Sequence, residues 1–182
     1  MSGRDLRVTC SIRPASEADV GRLALVGGAT FLETFAGVLD GEAIVGHCER
    51  EHSQSAYRRY LQGGAQAFLA ELAPGAAPVG FSLLDQPSLP GAAADGSDVE
   101  LKRIYALSRF HGHGIGAALM DRALDHARGQ GAERLLLGVY AGNMRARAFY
   151  SKNGFVQIAD RKFRVGGKDY DDVVLARAIE QR

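Results

Sequence analysis

Arg109-Phe110-His111-Gly112-His113-Gly114-Ile115-Gly116 is the stretch on which the reading of this chain turns. It lies between a run with strand character, Val99 to Leu107, and a helical run, Gly114 to Arg128. In that helix Ile115, Leu119, Ala123, Leu124 and Ala127 share one face. Three glycines at alternate positions permit positive φ and let a ligand reach the backbone with no Cβ in the way. Amides at a helix start point the same way and carry the positive end of the helix dipole, so the segment is a candidate phosphate cradle. As an isolated string it fits a tight helix start equally well. A dinucleotide fingerprint is a poor match. Its third glycine would come one residue early, at Gly116, and the strand before it is the fourth along the chain, not the first. A Walker loop fails as well, because Ile115-Gly116-Ala117 supplies no Gly-Lys-Ser/Thr.

Working outward, Val8 to Arg13 alternates as a strand closed by Pro14. Ser16 is placed as an N-cap for a helix through Val20, Leu23, Leu25, Phe31 and Phe35, with Gly27 and Gly28 as a point of bending. A second helical region spans Glu42 to Leu61 and stops at Gly63 and Gly64. Ala67 to Leu72 and Val79 to Leu84 form an antiparallel hairpin, and Pro87 to Asp98 a mobile loop. Beyond the quoted stretch, Arg134 to Tyr140 is a strand and Asn143 to Lys152 a helix ended by Asn153-Gly154. Phe155 to Val165 and Tyr170 to Ala176 pair around Gly166-Gly167. Strand, helix, strand, helix, strand implies a layered α/β domain with a mixed sheet.

The bulk properties narrow the partners. The 182 residues fit one domain, large enough to fold with no metal or disulfide staple. A net charge of +1 argues against a general grip on nucleic acid, which needs a basic face. No apolar run approaches the roughly 18 residues of a membrane span, and Met1 to Cys10 lacks the apolar core of a secretory signal. Cys10 and Cys48 have no metal-ligand spacing and read as reduced, partly buried thiols. These features point to a cytoplasmic protein with no membrane or nucleic-acid partner.

Three blocks, in order, resemble the GCN5-related N-acetyltransferase family. The family's coenzyme loop, Gln/Arg-x-x-Gly-x-Gly/Ala, is similar to His111-Gly112-His113-Gly114-Ile115-Gly116, with His111 where Gln or Arg is usual. Glu100-Leu101-Lys102-Arg103-Ile104-Tyr105-Ala106-Leu107 resembles the fourth strand. Gly142-Asn143 through Ala146, Phe149-Tyr150 and Gly154-Phe155 resembles the family's Asn…Ala-x-x-Phe-Tyr…Gly-Phe helix. The resemblance covers residues 99 to 176 well and the first half more loosely. It implies a three-layer α/β/α domain over 1–182, with a mostly antiparallel mixed sheet splayed at the fourth and fifth strands. Acceptor-shaping helices would fall at about 16–62 and the coenzyme-binding core at about 99–155. It also implies acetyl-coenzyme A as cosubstrate, no metal, and direct transfer to an amine.

Such a transfer needs a base for the amine, a donor for the oxyanion and an acid for the departing thiolate. Allowing two residues of loop length, Glu100 matches the family's catalytic glutamate and would act through water; paired with Lys102 or Arg103 it would be structural. Tyr150 matches the tyrosine whose hydroxyl meets the coenzyme sulfur; otherwise it is a core residue beside Phe149. The resemblance gives the pantetheine arm to the Ile104, Tyr105 and Ala106 backbone, an N–H there serving the oxyanion, and to Asn143, which is also placed as an N-cap. His111, Gly112, His113, Gly114, Ile115, Gly116 and Ala117 would hold the pyrophosphate. Phe149 and the basic Arg145 and Lys152 would complete the site, near Arg109 and Arg147.

Thr30-Phe31-Leu32-Glu33-Thr34-Phe35 and Glu100-x-x-Arg103-Ile104-Tyr105 resemble the bacterial polyamine-acetylating branch. Glu33, Asp40, Glu42, Glu49 and Glu51 would then draw a polycation, or else form a solvated helix face. The acceptor is read as a small amine, with a protein N-terminus or lysine as second choice. A sensor that binds acyl-coenzyme A without turnover is the reading from another class. The final hairpin offers an edge for a homodimer.

Overall fold

The computed structural model describes residues 9–90, 92 and 94–180. Val8, where the first strand was expected to begin, lies outside them. Seven strands form one sheet: β1 (Cys10–Pro14), β2 (Gln66–Leu72), β3 (Ala77–Asp85), β4 (Asp98–Ala106), β5 (Arg134–Tyr140), β6 (Val156–Val165) and β7 (Lys168–Ala178). Their order is β1-β2-β3-β4-β5-β7-β6. Only β4 and β5 run parallel, and only Asp98, Val99 and Glu100 of β4 pair with β5, at Arg134, Leu135 and Leu136. Both strands continue well past that point, so they diverge into an open wedge. The expected splay is present.

A bulge sets up the wedge. Leu84 pairs with Leu101 and Leu83 with Arg103, which leaves Lys102 as the extra residue. A bulge bends its strand and shifts the face of every residue beyond it. Leu101 therefore shares a face with Ile104 and Ala106, while Tyr105 packs on the opposite one.

The helices are α1 (Val20–Phe35), α2 (Gly41–Glu51), α3 (Gln54–Gln62), α4 (Ile115–Gly129) and α5 (Met144–Lys152). One side of the sheet carries α4, whose Leu119, Met120, Ala123 and Ala127 pack with Leu135, Leu137 and Val173, joined by Tyr150 and Phe155 of the α5 region. The other side packs Val20, Leu23, Val26 and Tyr57 against Ala67, Leu69, Phe81 and Leu83. This is the three-layer α/β/α arrangement.

One expectation is corrected and two are refined. The helix foreseen over Glu42 to Leu61 is two helices, because Ser53 is extended and its side chain accepts the Ala56 N–H at 3.2 Å, starting α3 afresh. Ser16 is an N-cap as expected, with Asp19 completing a capping box, but it caps a short 3-10 turn at Glu17–Asp19 from which α1 follows at Val20. Pro87 to Asp98 is irregular as expected, and its described part makes contacts: the Ser88 N–H meets Glu100 at 2.7 Å, the Asp95 N–H meets Asp98 at 3.1 Å, and Ala92 is buried. Residues 91 and 93 lie outside the described set.

Gly27 and Gly28 do not interrupt α1, which is one continuous helix. A Cβ on Gly27 would come within 2.3 Å of the Tyr57 hydroxyl and 2.4 Å of His52 Nδ1, whereas one on Gly28 meets nothing within 4 Å. Gly27→Ala is expected to destabilise the fold by about 2 kcal/mol, and Gly28→Ala to stabilise it by up to about 1 kcal/mol. Denaturant unfolding of the two variants checks the opposite signs.

Candidate active site

The glycine-rich loop follows β4 through a 3-10 turn at Ser108–Phe110. Gly112 and Gly114 hold φ of 83° and 80°, values open to glycine and costly for other residues. A Cβ at either would meet no protein atom within 4 Å, so both backbones face open space. Gly116 differs from expectation. It lies inside α4 with no positive φ, and an added Cβ would touch the Phe149 ring at 3.5 Å. That distance is ordinary van der Waals contact, so α5 packs beside the first turn of α4 at this point. The first helical bond runs from the Ala118 N–H to the Gly114 carbonyl at 2.9 Å, so the amides of Ile115, Gly116 and Ala117 have no helical acceptor. The first turn holds no acidic residue to compete for them.

The Leu107 N–H bonds the Val79 carbonyl of β3 at 2.8 Å, so by alternation Ile104 and Ala106 turn their peptide groups toward the wedge. His111 bridges the two regions, its Nε2 meeting the Ala106 carbonyl at 2.8 Å. A carbonyl only accepts, so Nε2 carries the proton. Nδ1 is buried without a partner among the described residues. The residue standing for the usual Gln or Arg is thus a brace between loop and strand, and it occupies one carbonyl the pantetheine arm was expected to use.

On α5, Asn143 caps the helix by accepting the Ala146 N–H at 3.1 Å. Tyr150 is 8% exposed, with Phe149 and Phe155 rings 5.5 and 5.8 Å away. Burial pushes its hydroxyl well above the ordinary tyrosine pKa, so it stays protonated. Arg147 is engaged with the Ala141 carbonyl and Gln157, whereas Arg145 and Lys152 are exposed.

Glu100 is buried at the last β4 position paired with β5. Its Oε2 accepts from the Ser88 N–H at 2.7 Å, the Ser88 hydroxyl at 3.2 Å and Lys102 Nζ at 3.2 Å. Among the described residues Oε1 takes no bond. Glu100 and Tyr150 share no hydrogen bond, and Tyr150 belongs to the core on the α4 side.

Across the sheet from α4, α1–α3 present a cluster of rings. His47 stacks on Phe31 at 4.1 Å, Phe31 lies 4.5 Å from Phe35, and His52 Nδ1 is 2.8 Å from the Tyr57 hydroxyl. Beside them Arg103 Nη2 donates to Glu51 at 2.8 Å, and the Tyr60 hydroxyl donates to the same carboxylate at 3.0 Å. Sequence reading did not single out His47 or His52, since neither has motif spacing.

Burial, aided by the Arg103 charge, lowers His47 to about 4 and His52 to about 3, from an ordinary 6.5. Both are neutral in the folded protein, and the unfolded chain takes up protons first as pH falls below 6.5. Their contribution to stability is therefore complete above that value and lost on the way down to pH 4. His47→Phe keeps a ring on Phe31 and cannot titrate. Its melting temperature should fall between pH 6.5 and pH 4 by about 3 °C less than that of the wild type.

Several acidic residues are already engaged. Asp40 caps α2, and Glu33 accepts the Ser108 N–H at 2.8 Å. The Thr30 and Thr34 hydroxyls turn back onto α1 carbonyls. Among the described residues no group of three or more His, Cys, Asp or Glu is placed to hold a metal ion, and no helix is long and apolar enough to cross a membrane.

The family model described as the acetyltransferase (GNAT) family matches residues 29–155. An uncharacterized N-acetyltransferase of Mycobacterium tuberculosis is 34% identical over 161 residues, 88% of this chain and 98% of that protein. A mycothiol acetyltransferase of Beutenbergia cavernae is 50% identical over 65 residues, 34% of this chain and 22% of that protein. The crystal structure of the PaiA N-acetyltransferase from Thermoplasma acidophilum, in complex with coenzyme A, superimposes with a TM-score of 0.76 at 20% identity, covering 93% of this chain and 99% of that one.

Proposed function

This chain belongs to the acetyltransferase (GNAT) family, and from that premise we propose that it transfers acetyl from acetyl-coenzyme A to a small primary amine. The observation that carries the proposal is the pair of left-handed glycines, Gly112 and Gly114, with open space where each Cβ would sit. They lead into a helix start with unpaired amides, at the mouth of the β4–β5 wedge. That cradle fits a pyrophosphate. The coenzyme supplies an activated thioester. His111 through Ala117 hold its phosphates, the Ile104–Ala106 backbone and Asn143 take the pantetheine arm, and Phe149 packs beside it. Arg145 and Lys152 add positive charge at the surface.

Tyr150 donates its proton to the departing thiolate; burial keeps that proton in place at neutral pH. Glu100 accepts the proton of the amine through water, using the oxygen that Ser88 and Lys102 leave open. Glu100→Gln is expected to lower kcat at least tenfold while coenzyme affinity stays unchanged. An unchanged kcat would leave Glu100 as a tether for Ser88 and Lys102 only.

Spermidine is the first acceptor to assay, given the likeness of residues 30–35 and 100–105 to polyamine acetyltransferases. The engagement of Asp40, Glu33 and Glu51 within the protein weakens the electrostatic case for a polycation. Thiol release from acetyl-coenzyme A, followed over a panel of amines, tests the activity. Binding of the coenzyme with no release for any amine would reduce the protein to a sensor.

A further inference from the structure

Arg103 is the most unusual charged group in the molecule. Its side chain is only 10% exposed. Nη2 reaches Glu51 at 2.8 Å and the Tyr60 hydroxyl at 3.5 Å, and the guanidinium lies 5.0 Å from the Tyr60 ring centre and 5.8 Å from that of Tyr57. Nη1 is buried with no partner among the described residues. A charged donor taken out of water and left unpaired is costly, so it calls for an acceptor.

The position of that donor matters. Arg103 follows the bulge at Lys102, beyond the last β4 residue paired with β5, and so sits beside the wedge on the side opposite α4. Its charge acts on both His47 and Tyr105. His47 meets Phe163 of β6, with ring centres 6.3 Å apart, and Arg161 lies 5.7 Å from the Phe163 ring centre. Arg161 in turn holds Asp172 at 2.6 Å, and the Asp172 charge acts back on Tyr105. These residues form one connected cluster on the side of the sheet opposite α4, taken here as the acceptor's compartment. Each carboxylate in it, Glu51 and Asp172, is already bound to an arginine. The compartment is neutral as it stands, with one guanidinium nitrogen unspent.

Resting on the acetyltransferase reading above, we propose that the acceptor is an amine that also carries a carboxylate, and that Arg103 Nη1 binds that carboxylate. A zwitterion brings its own anion to the unpaired donor and leaves the compartment neutral. A polyamine brings uncompensated cations to a buried arginine. Arg103 is here a specificity-determining residue, and the two pairs Glu51–Arg103 and Asp172–Arg161 hold the compartment's shape.

Matched acceptors differing only in the carboxylate provide the test, with thiol release from acetyl-coenzyme A as the readout. The pairs are L-lysine and cadaverine, L-ornithine and putrescine, and L-leucine and L-leucinamide, with spermidine added. For the wild type, the better carboxylate-bearing acceptor should exceed its partner and spermidine at least 30-fold in kcat/KM. Arg103→Lys keeps a cation beside Glu51 but has no second amino group. It should lose at least 20-fold on carboxylate acceptors, mostly in KM, and less than threefold on their partners. Its melting temperature and coenzyme affinity should stay near wild type. Equal or better turnover of the amines without a carboxylate overturns the inference, as does an equal loss on both classes in Arg103→Lys. No release with any acceptor overturns the acetyltransferase reading itself, and this inference with it.

Discussion

Gly114→Val is expected to weaken coenzyme A binding at least a hundredfold in calorimetry while leaving most of the protein folded. Two separable effects meet at this position. Gly114 has φ of 80°, and a β-branched residue held there costs of order 1–3 kcal/mol of backbone strain. Domains of this size have roughly 5–15 kcal/mol in hand, so the fold survives in weakened form. The second effect is local to the ligand. No protein atom lies within 4 Å of the position a Cβ would take, so the valine side chain projects into the space proposed for the phosphates. A hundredfold loss corresponds to about 2.7 kcal/mol, reasonable for a cradle that works by close backbone approach.

Gly131→Ala supplies the control. It has φ of 71° and equally open surroundings, at the far end of α4. It should lower the melting temperature through strain while coenzyme affinity stays unchanged. If Gly114→Val bound coenzyme within threefold of wild type, the cradle would have to lie elsewhere.

Tyr150→Phe should lower turnover at least tenfold while coenzyme affinity and stability move little. The ring sits between Phe149 and Phe155 in the core, and phenylalanine preserves both contacts. Among the described residues the Tyr150 hydroxyl bonds to nothing, so its removal breaks no hydrogen bond of the fold. Whatever rate is lost then belongs to the donor itself, and general-acid assistance commonly contributes 100-fold or more. Acceptors whose transfer is limited by thiolate departure should be affected most. Full activity in Tyr150→Phe, with normal coenzyme binding, would restrict Tyr150 to packing.

The second half of the chain was legible because its signals are local. A glycine at a helix start, an amide-capping Asn143 and an apolar face at i, i+4 act within a few residues, and short-range sterics enforce them wherever the chain goes. The expected boundaries of α4, β5 and α5 match the structure to within a residue or two. Gly116 shows how far such reasoning reaches. Glycine spacing suggested a third left-handed residue, but Gly116 is helical, and a Cβ there would make only an ordinary contact with the Phe149 ring, more than thirty residues along the chain.

The acceptor half was harder to read. The capping role of Ser53 was visible in principle, but apolar spacing ran across it and the two helices merged. His52, buried at that break, had no pattern to mark it.

From the chain alone came the phosphate-cradle segment, the order of helices and strands, and the tyrosine-bearing helix, all consequences of contacts a few residues apart. Folding in three dimensions decided the rest: that Lys102 bulges out of β4, which carries Arg103 and Tyr105 to the face a simple alternation assigns to Ile104 and Ala106, and that Arg103 finds Glu51 while Glu100 finds Ser88. The physical reason is register. A one-residue slip in strand pairing reverses every side chain beyond it, and pairing between distant segments is set by the packing of whole layers, which no local pattern encodes.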